Sequence, residues 1–280
     1  MSTPPSPAAQ APPLADPRPT TSFSAAAQPY AHDAGIGAPR VLLCHGFTGS
    51  PQSLRGWGEH LAGAGCTVRI PRLPGHASTW QRLERTGWQD WYAAAERTLL
   101  DLAGPAREPV VVGGLSMGGT LALRLAVERP GLVAGLMLVN PAVRLSDPRL
   151  KLLPMLKRFT RTMPGIADSI ADASVHEEGY DRVPLAALES SMRMYREIQR
   201  RLPEVHAPML LMHSDIDPVV PADNAELIRH RVSCARIDDV PLHRSLHVAT
   251  LDFDAGLIHE HCVRFIAQLH RSEATGAAVD

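Results

Sequence analysis

Residues 110–127, VVVGGLSMGGTLALRLAV, constrain this chain more than any other stretch. Pro109 to Val112 is an apolar, β-branched run of the buried-strand type. Met117 to Val127 is rich in Leu and Ala and has the length of a helix. Between them lies Gly114-Leu115-Ser116-Met117-Gly118, the G-x-S-x-G spacing of a nucleophile elbow. A strand that turns directly into a helix leaves no room for side chains beside the turn. Glycines two residues before and two after the serine let the elements pinch together. The serine is forced into strained backbone, which lifts its hydroxyl clear of the sheet. The alternative is a Gly-rich strand-to-helix turn with an incidental serine; the G-x-S-x-G spacing set between a buried-type strand and a helix favours the nucleophile.

The rest of the chain alternates in the same way. Val41 to Cys44, Cys66 to Ile70, Leu136 to Val139, Pro208 to His213 and Ala235 to Val240 read as strands. Gln52 to Ala64, Trp88 to Leu102 and Ala255 to Leu269 read as amphipathic helices. Strands alternating with helices predict a mostly parallel sheet covered on both faces. The alternation breaks over 141–206, which holds several prolines, mixed apolar and basic residues and a helix-like run from Leu185 to Arg201. A structureless connection of that length is unusual, so an insertion forming a small helical cap is expected there. The expected core is therefore 39–140 plus 207–272. Residues 1–38 are rich in Pro, Ala and Ser and read as a disordered tail, with a short segment near Ser22 to Tyr30 able to dock on the domain. Residues 273–280 read as a flexible C-terminus.

Composition narrows the partners. Lys plus Arg is 28 against Asp plus Glu 29, a net charge of −1, so nothing points to nucleic acid. The four cysteines are scattered in or beside apolar runs, with no C-x-x-C pair, and read as buried thiols of a reducing compartment. No apolar run is long enough to span a membrane, and the N-terminus lacks the pattern of a secretory signal. A cytoplasmic location is the resulting expectation. No metal or cofactor is implied, since no histidine pair has the H-E-x-x-H spacing and the glycines at 113–119 match no phosphate cradle.

A serine hydroxyl needs a base within hydrogen-bond reach, and that base needs a third group to fix its tautomer. In open parallel sheets such groups collect at the carboxyl ends of strands. After the strand ending at His213 two acids compete, Asp215 and Asp217. Asp217 directly precedes the Pro-Val-Val-Pro run that opens the next helix and is preferred; Asp215 reads as a turn-former. After the strand ending at Val240 come His243 and His247. His247, nearer the final helix, is taken as the base and His243 as a surface residue. The developing oxyanion needs two fixed donors. The Met117 N–H follows the serine. The loop His45-Gly46-Phe47-Thr48-Gly49-Ser50 ends the first core strand and offers the Phe47 N–H.

With these pieces placed, the chain resembles the α/β-hydrolase superfamily, and more narrowly its bacterial monoacylglycerol lipase and small carboxylesterase family. The resemblance runs from about Val41 to Leu269. It is densest at LLCHGFTGSPQSLR (42–55), RLPGHASTWQRLERTGWQDWY (72–92), GLSMGGTLAL (114–123), SDIDPVVPADNAELI (214–228) and HVATLDFD (247–254). It implies Ser116 as nucleophile, Asp217 as acid, His247 as base, and Phe47 and Met117 as oxyanion donors. It also implies a cap over an acyl channel. Glu177 is a candidate contact for a glycerol headgroup, with a solvated acid as the alternative. One departure is visible, since Gly75-His76-Ala77 stands where the family usually has Gly-His-Gly.

The implied reaction is ester hydrolysis through an acyl-serine, most readily on monoacylglycerols of medium or long acyl chain. A short-chain carboxylesterase, a thioesterase or another serine hydrolase chemistry would use the same fold. A non-catalytic binding protein is the reading from another class. Leu150, Leu152, Leu153, Met155, Leu156 and Phe159 suggest a medium or long acyl chain, with packing within the cap as the alternative, and Lys151, Lys157, Arg158 and Arg161 beside them suggest transient contact between the cap and an anionic lipid surface.

Overall fold

The computed structural model describes residues 23–145, 150, 152–165 and 169–276. Nine strands and eight α-helices are described. Seven strands form one sheet in the order β1-β3-β2-β4-β5-β8-β9. They are β1 (Tyr30–His32), β2 (Arg40–Cys44), β3 (Thr67–Ile70), β4 (Val110–Leu115), β5 (Val133–Val139), β8 (Met209–Ser214) and β9 (Ile237–Leu242). All neighbours are parallel except β1, which runs antiparallel to β3 at the edge.

The continuous apolar strand runs have a simple cause. Side chains alternate faces along a strand, and both faces of this sheet are covered. Leu42 and Cys44 of β2, Val110 and Val112 of β4, and Met209 and Leu211 of β8 join one core. Their strand neighbours Val41, Leu43, Val111, Leu210 and Met212 join the other. The first core is closed by α3 (Trp88–Ala103), α4 (Met117–Glu128) and α7 (Asp223–Arg231), the second by α1 (Gln52–Gly63) and α8 (Ala255–Gly276). Trp57 of α1, Trp91 of α3 and Phe265 of α8 are the largest fully buried side chains. Fully burying such a side chain stabilises the fold by roughly 2–3 kcal/mol.

The helix α2 (Trp80–Glu84), capped by the Thr79 side chain, is too short to show periodicity in the sequence. β1 was hidden for a related reason. Its three residues sit in Pro- and Ala-rich sequence, inside the expected tail. From Phe23 onward that segment lies on the domain. Ser24 caps a single 3-10 turn, the Arg55 guanidinium donates to the carbonyls of Ala25, Ala26 and Gln28, and it also lies 4.7 Å over the Tyr30 ring. The part of the expected tail over 1–22 lies outside the described residues, as do 277–280 of the expected flexible C-terminus.

The insertion after β5 contains α5 (Leu153–Leu156), the strands β6 (Thr162–Pro164) and β7 (Arg182–Pro184), and α6 (Leu185–Arg201). It is therefore not purely helical. β6 and β7 pair antiparallel, with Met163 opposite Val183. Prolines at both strand ends mask them in the sequence. A small cluster of Leu153, Val183, Leu185 and Leu188 holds the insertion together. α6 also turns Ala187, Met194, Tyr195 and Ile198 into the main core and pairs with α4 through Arg124–Glu197 and Arg201–Glu128. One end of the cap is thus rooted in the sheet's own packing.

Candidate active site

The elbow is built by exclusion. Ser116 has φ 56° and ψ −117°, a left-handed conformation that costs a non-glycine residue about 1–3 kcal/mol. A Cβ on Gly114 would lie 2.2 Å from the Gly118 carbonyl carbon, and one on Gly118 would lie 1.8 Å from the Cys44 oxygen. Only glycine fits at either place. The strained residue is held from both sides: Ser116 N–H donates to the Val139 oxygen (3.0 Å), and the Ser116 carbonyl accepts from Ala142 N–H (3.2 Å).

The loop after β2 lies against the serine, since a Cβ on Gly46 would sit 3.6 Å from Ser116 Cβ. A buried cluster fixes that loop. His45 Nδ1 donates to the Gly46 oxygen (2.9 Å), and its Nε2 accepts from Leu73 N–H (3.2 Å), so the neutral ring satisfies both nitrogens. Burial pushes its pKa down to about 4. The His45 and Phe47 rings lie 4.9 and 6.3 Å from that of His76, and the Phe47 ring also lies 5.7 Å from that of Trp91. Burial and the neighbouring His45 hold His76 well below the usual histidine range.

The two acid and two histidine candidates resolve into two pairs. Asp217 Oδ2 lies 2.7 Å from His247 Nδ1, and Asp217 Oδ1 accepts from the N–H groups of Val219 (2.7 Å) and Val220 (2.9 Å). The Asp217 side chain is 2% exposed and that of His247 10%. Asp215 and His243 pair with each other at 2.5 Å on the surface, with side chains 47% and 68% exposed. Ser116, Phe47, His247 and Glu177 line one cavity of about 140 Å³. Met117, the residue after Ser116 and the first of α4, is fully buried. The structure thus gathers Ser116, His247 and Asp217 at one place, with the Phe47 and Met117 segments adjoining.

The cap supplies much of the cavity wall, including Leu150, Met163, Val183 and Leu188. Thr48, Glu177 and Tyr195 are its polar members away from Ser116 and His247. The Glu177 carboxylate lies against the Gly49 backbone, where a Cβ would meet Oε1 at 2.6 Å. The apolar cap residues divide. Leu150 faces the cavity and Leu153 is buried in the cap, whereas Leu152, Met155 and Phe159 are exposed. Of their basic neighbours, Lys157 pairs with Glu189 and Arg161 with Glu84. Lys151 lies outside the described residues.

Two buried polar residues went unremarked in the sequence. Asn140, at φ 44° just beyond β5, donates to the His247 carbonyl (2.8 Å) and accepts from Ser214 N–H (2.7 Å). Its place at a strand's carboxyl end was the available signal. Asp252 lies within the HVATLDFD run, but two of its partners, Ala171 and Asp172, are some 80 residues away and no local pattern shows them. Among the described residues, no group of three or more His, Cys, Asp or Glu side chains is gathered to hold a metal, and no helix is long and apolar enough to cross a membrane.

A family model described as serine aminopeptidase S33 matches residues 38–248. The chain is 36% identical over 246 residues to a thermostable monoacylglycerol lipase from a Bacillus species, covering 85% of this chain and 93% of that one. It is 24% identical over 238 residues to a carboxylesterase of Bacillus subtilis, covering 83% and 94%. A solved structure of the metagenome-derived lipolytic enzymes LipS and LipT superposes with a TM-score of 0.82 at 35% identity, covering 87% of this chain and 98% of that one.

Proposed function

The chain belongs to the serine aminopeptidase S33 family of α/β-hydrolases, among its monoacylglycerol lipases and esterases, and from that premise we propose how it cleaves its ester. It is a carboxylic ester hydrolase. In the proposed cycle Ser116 attacks the ester carbonyl while His247 takes its proton. Asp217, bonded to His247 Nδ1, keeps Nε2 free for that task and stabilises the imidazolium that forms. The N–H groups of Phe47 and Met117 receive the developing oxyanion. His247 then returns the proton to the leaving alcohol, and in a second half-cycle it activates water to release the acid. The observation that carries this reading is the buried His247–Asp217 pair, whose His247 lines the same cavity as the strained Ser116.

The substrate proposed is a monoacylglycerol of medium or long acyl chain. Its support is the mixed lining of the cavity, apolar from the cap and polar at Thr48 and Glu177, together with the monoacylglycerol lipase relative. Glu177 is proposed to accept hydrogen bonds from the glycerol hydroxyls. The exposed Leu152, Met155 and Phe159 are proposed to meet the lipid surface from which such a substrate is drawn. Lys157 and Arg161 are paired within the protein, with Glu189 and Glu84.

Hydrolysis of monoacylglycerols from octanoyl to stearoyl, beside p-nitrophenyl esters and acyl thioesters, tests the reading. Turnover of monoacylglycerols that Ser116→Ala abolishes is expected, with loss of fluorophosphonate labelling in the same variant. Turnover of short p-nitrophenyl esters or thioesters alone would move the substrate class and keep the triad. Labelling that persists in Ser116→Ala would overturn the nucleophile.

A further inference from the structure

Asp252 is a carboxylate that makes no ion pair among the described residues, yet it is 5% exposed. A charge buried in that way is stable only if other groups satisfy it. Four backbone N–H groups do so, from three parts of the chain. Oδ2 accepts from Ala171 (2.7 Å) and Leu246 (2.8 Å), and Oδ1 from Asp172 (3.1 Å) and Phe253 (2.8 Å). Ala171 and Asp172 belong to the cap insertion. Leu246 immediately precedes His247. One oxygen, Oδ2, therefore bridges the cap directly to the loop of the proposed base.

A second connection runs alongside. The Ser169 carbonyl, also of the cap, accepts from Val248 N–H (3.0 Å), the residue after His247. The Ser169 hydroxyl oxygen lies 3.4 Å from the His247 nitrogen. On the sheet side the same loop is fastened by Asn140 through the His247 and Leu246 carbonyls and by the Ser214 hydroxyl through the Leu246 carbonyl. The backbone on either side of His247 is thus divided. Its carbonyls are held by the sheet and its N–H groups by the cap and Asp252.

We propose that Asp252 is a positioning residue that makes the cap segment 169–172 and the His247 loop one rigid unit, so that a displaced cap displaces the base. Asp252 touches no reacting atom; it acts through Leu246. Charge-assisted hydrogen bonds from a shared acceptor are stronger than neutral ones, and each of the four restrains a different backbone position. The functional weight of this role rests on His247 being the base.

Two substitutions approach the bridge from opposite ends. Asp252→Asn keeps the shape and turns one acceptor into a donor facing N–H groups. Ala171→Pro removes a cap donor and leaves Asp252 and the His247 loop unaltered. The first readout is amide hydrogen exchange over residues 246–248, which needs no substrate. Faster exchange there in both full-length variants is expected, although Ala171 is distant in sequence from that loop. The second readout is the rate of fluorophosphonate labelling of Ser116, expected to fall roughly ten- to a hundredfold, as a misplaced base would cause. Wild-type exchange at 246–248 in Ala171→Pro would overturn the coupling. So would lowered thermal stability with a wild-type labelling rate, which marks a simple brace. A wild-type enzyme that takes no label would instead overturn the triad reading, while the exchange result would still decide the coupling.

Discussion

Two histidine–aspartate pairs join the segments that follow β8 and β9, offset by four residues at the histidine and two at the aspartate. His243–Asp215 is the shorter, at 2.5 Å, and His247–Asp217 is 2.7 Å. Distance therefore does not separate the surface pair from the proposed catalytic one. Their surroundings do. Asp217 has two backbone N–H groups on its second oxygen and almost no contact with water, so its orientation is fixed before any substrate arrives. The outer pair is in solvent, where an ion pair contributes about 0–1 kcal/mol and is screened by salt. A triad acid must hold an imidazole in one tautomer and one orientation, and only the inner site supplies that restraint.

Neutralising each acid in turn breaks the comparison most sharply. Asp217→Asn is expected to lower kcat by roughly a thousand- to ten-thousandfold, because the amide stabilises the wrong tautomer. Asp215→Asn is expected to leave kcat within about twofold, as befits an exposed pair. Steady-state kinetics on one ester substrate reads both. Equal losses would mean that burial is not what distinguishes the two.

The next test removes the geometry that sets Ser116 opposite the inner pair. In Gly118→Ala the new methyl meets the Cys44 backbone oxygen at 1.8 Å, with no flexible side chain to yield. The elbow must open, at a cost of at least about 3 kcal/mol, with activity lost alongside. Chemical denaturation and fluorophosphonate labelling measure the two losses together. Gly131, where a Cβ would meet nothing within 4 Å, is the control position, and Gly131→Ala is expected to keep full labelling.

A third test contrasts buried with exposed imidazole. His45 is satisfied only as a neutral ring, and burial lowers its pKa from 6.5 to about 4. As pH falls, the unfolded chain takes up this proton before the folded one. The contribution is thus intact above about pH 6.5, declines through the window down to about pH 4, and levels off below it. The span corresponds to about 3 kcal/mol lost across that window. Unfolding free energies of the wild type and His45→Asn, followed over that range, isolate the term by difference. The exposed counterpart is His243, 68% exposed, and His243→Asn is expected to change stability by no more than about 1 kcal/mol at neutral pH.

What the sequence disclosed follows the same division between local and distant causes. The elbow was legible because its restraints are written within five residues, Gly114 to Gly118. The sheet was legible because a strand buried on both faces must be apolar throughout. The two pairs were harder. The sequence prefers Asp217 over Asp215 only through the Pro-Val-Val-Pro run that follows it, and tertiary packing is what makes one of them buried. Asp252 was invisible for a stronger version of that reason. Asp252 bonds to backbone N–H groups some 80 residues away, and backbone donors carry no residue signature. β1, β6 and β7, at three residues each, are too short for a period of two to register.

The finest test lies in the loop beneath His45, where the chain departs from its family's usual Gly-His-Gly. Both residues flanking His76 have positive φ, +78° at Gly75 and +45° at Ala77. They differ in space. A Cβ on Gly75 would strike the Leu83 backbone at 2.7 Å, so glycine is required there on two counts. Ala77 already carries its methyl in a buried position, and what remains is the conformational strain alone. A left-handed alanine costs about 1–2 kcal/mol, and glycine in its place gives back roughly half through the freer unfolded chain. Ala77→Gly is therefore expected to stabilise the protein by about 0.5 kcal/mol, read as a small rise in denaturation midpoint at constant slope. Gly75→Ala should do the reverse and by more, since it adds a backbone collision to the strain. If Ala77→Gly instead destabilises, the methyl contributes packing worth more than the strain, and the departure from the family pattern is an adaptation of the loop under His45.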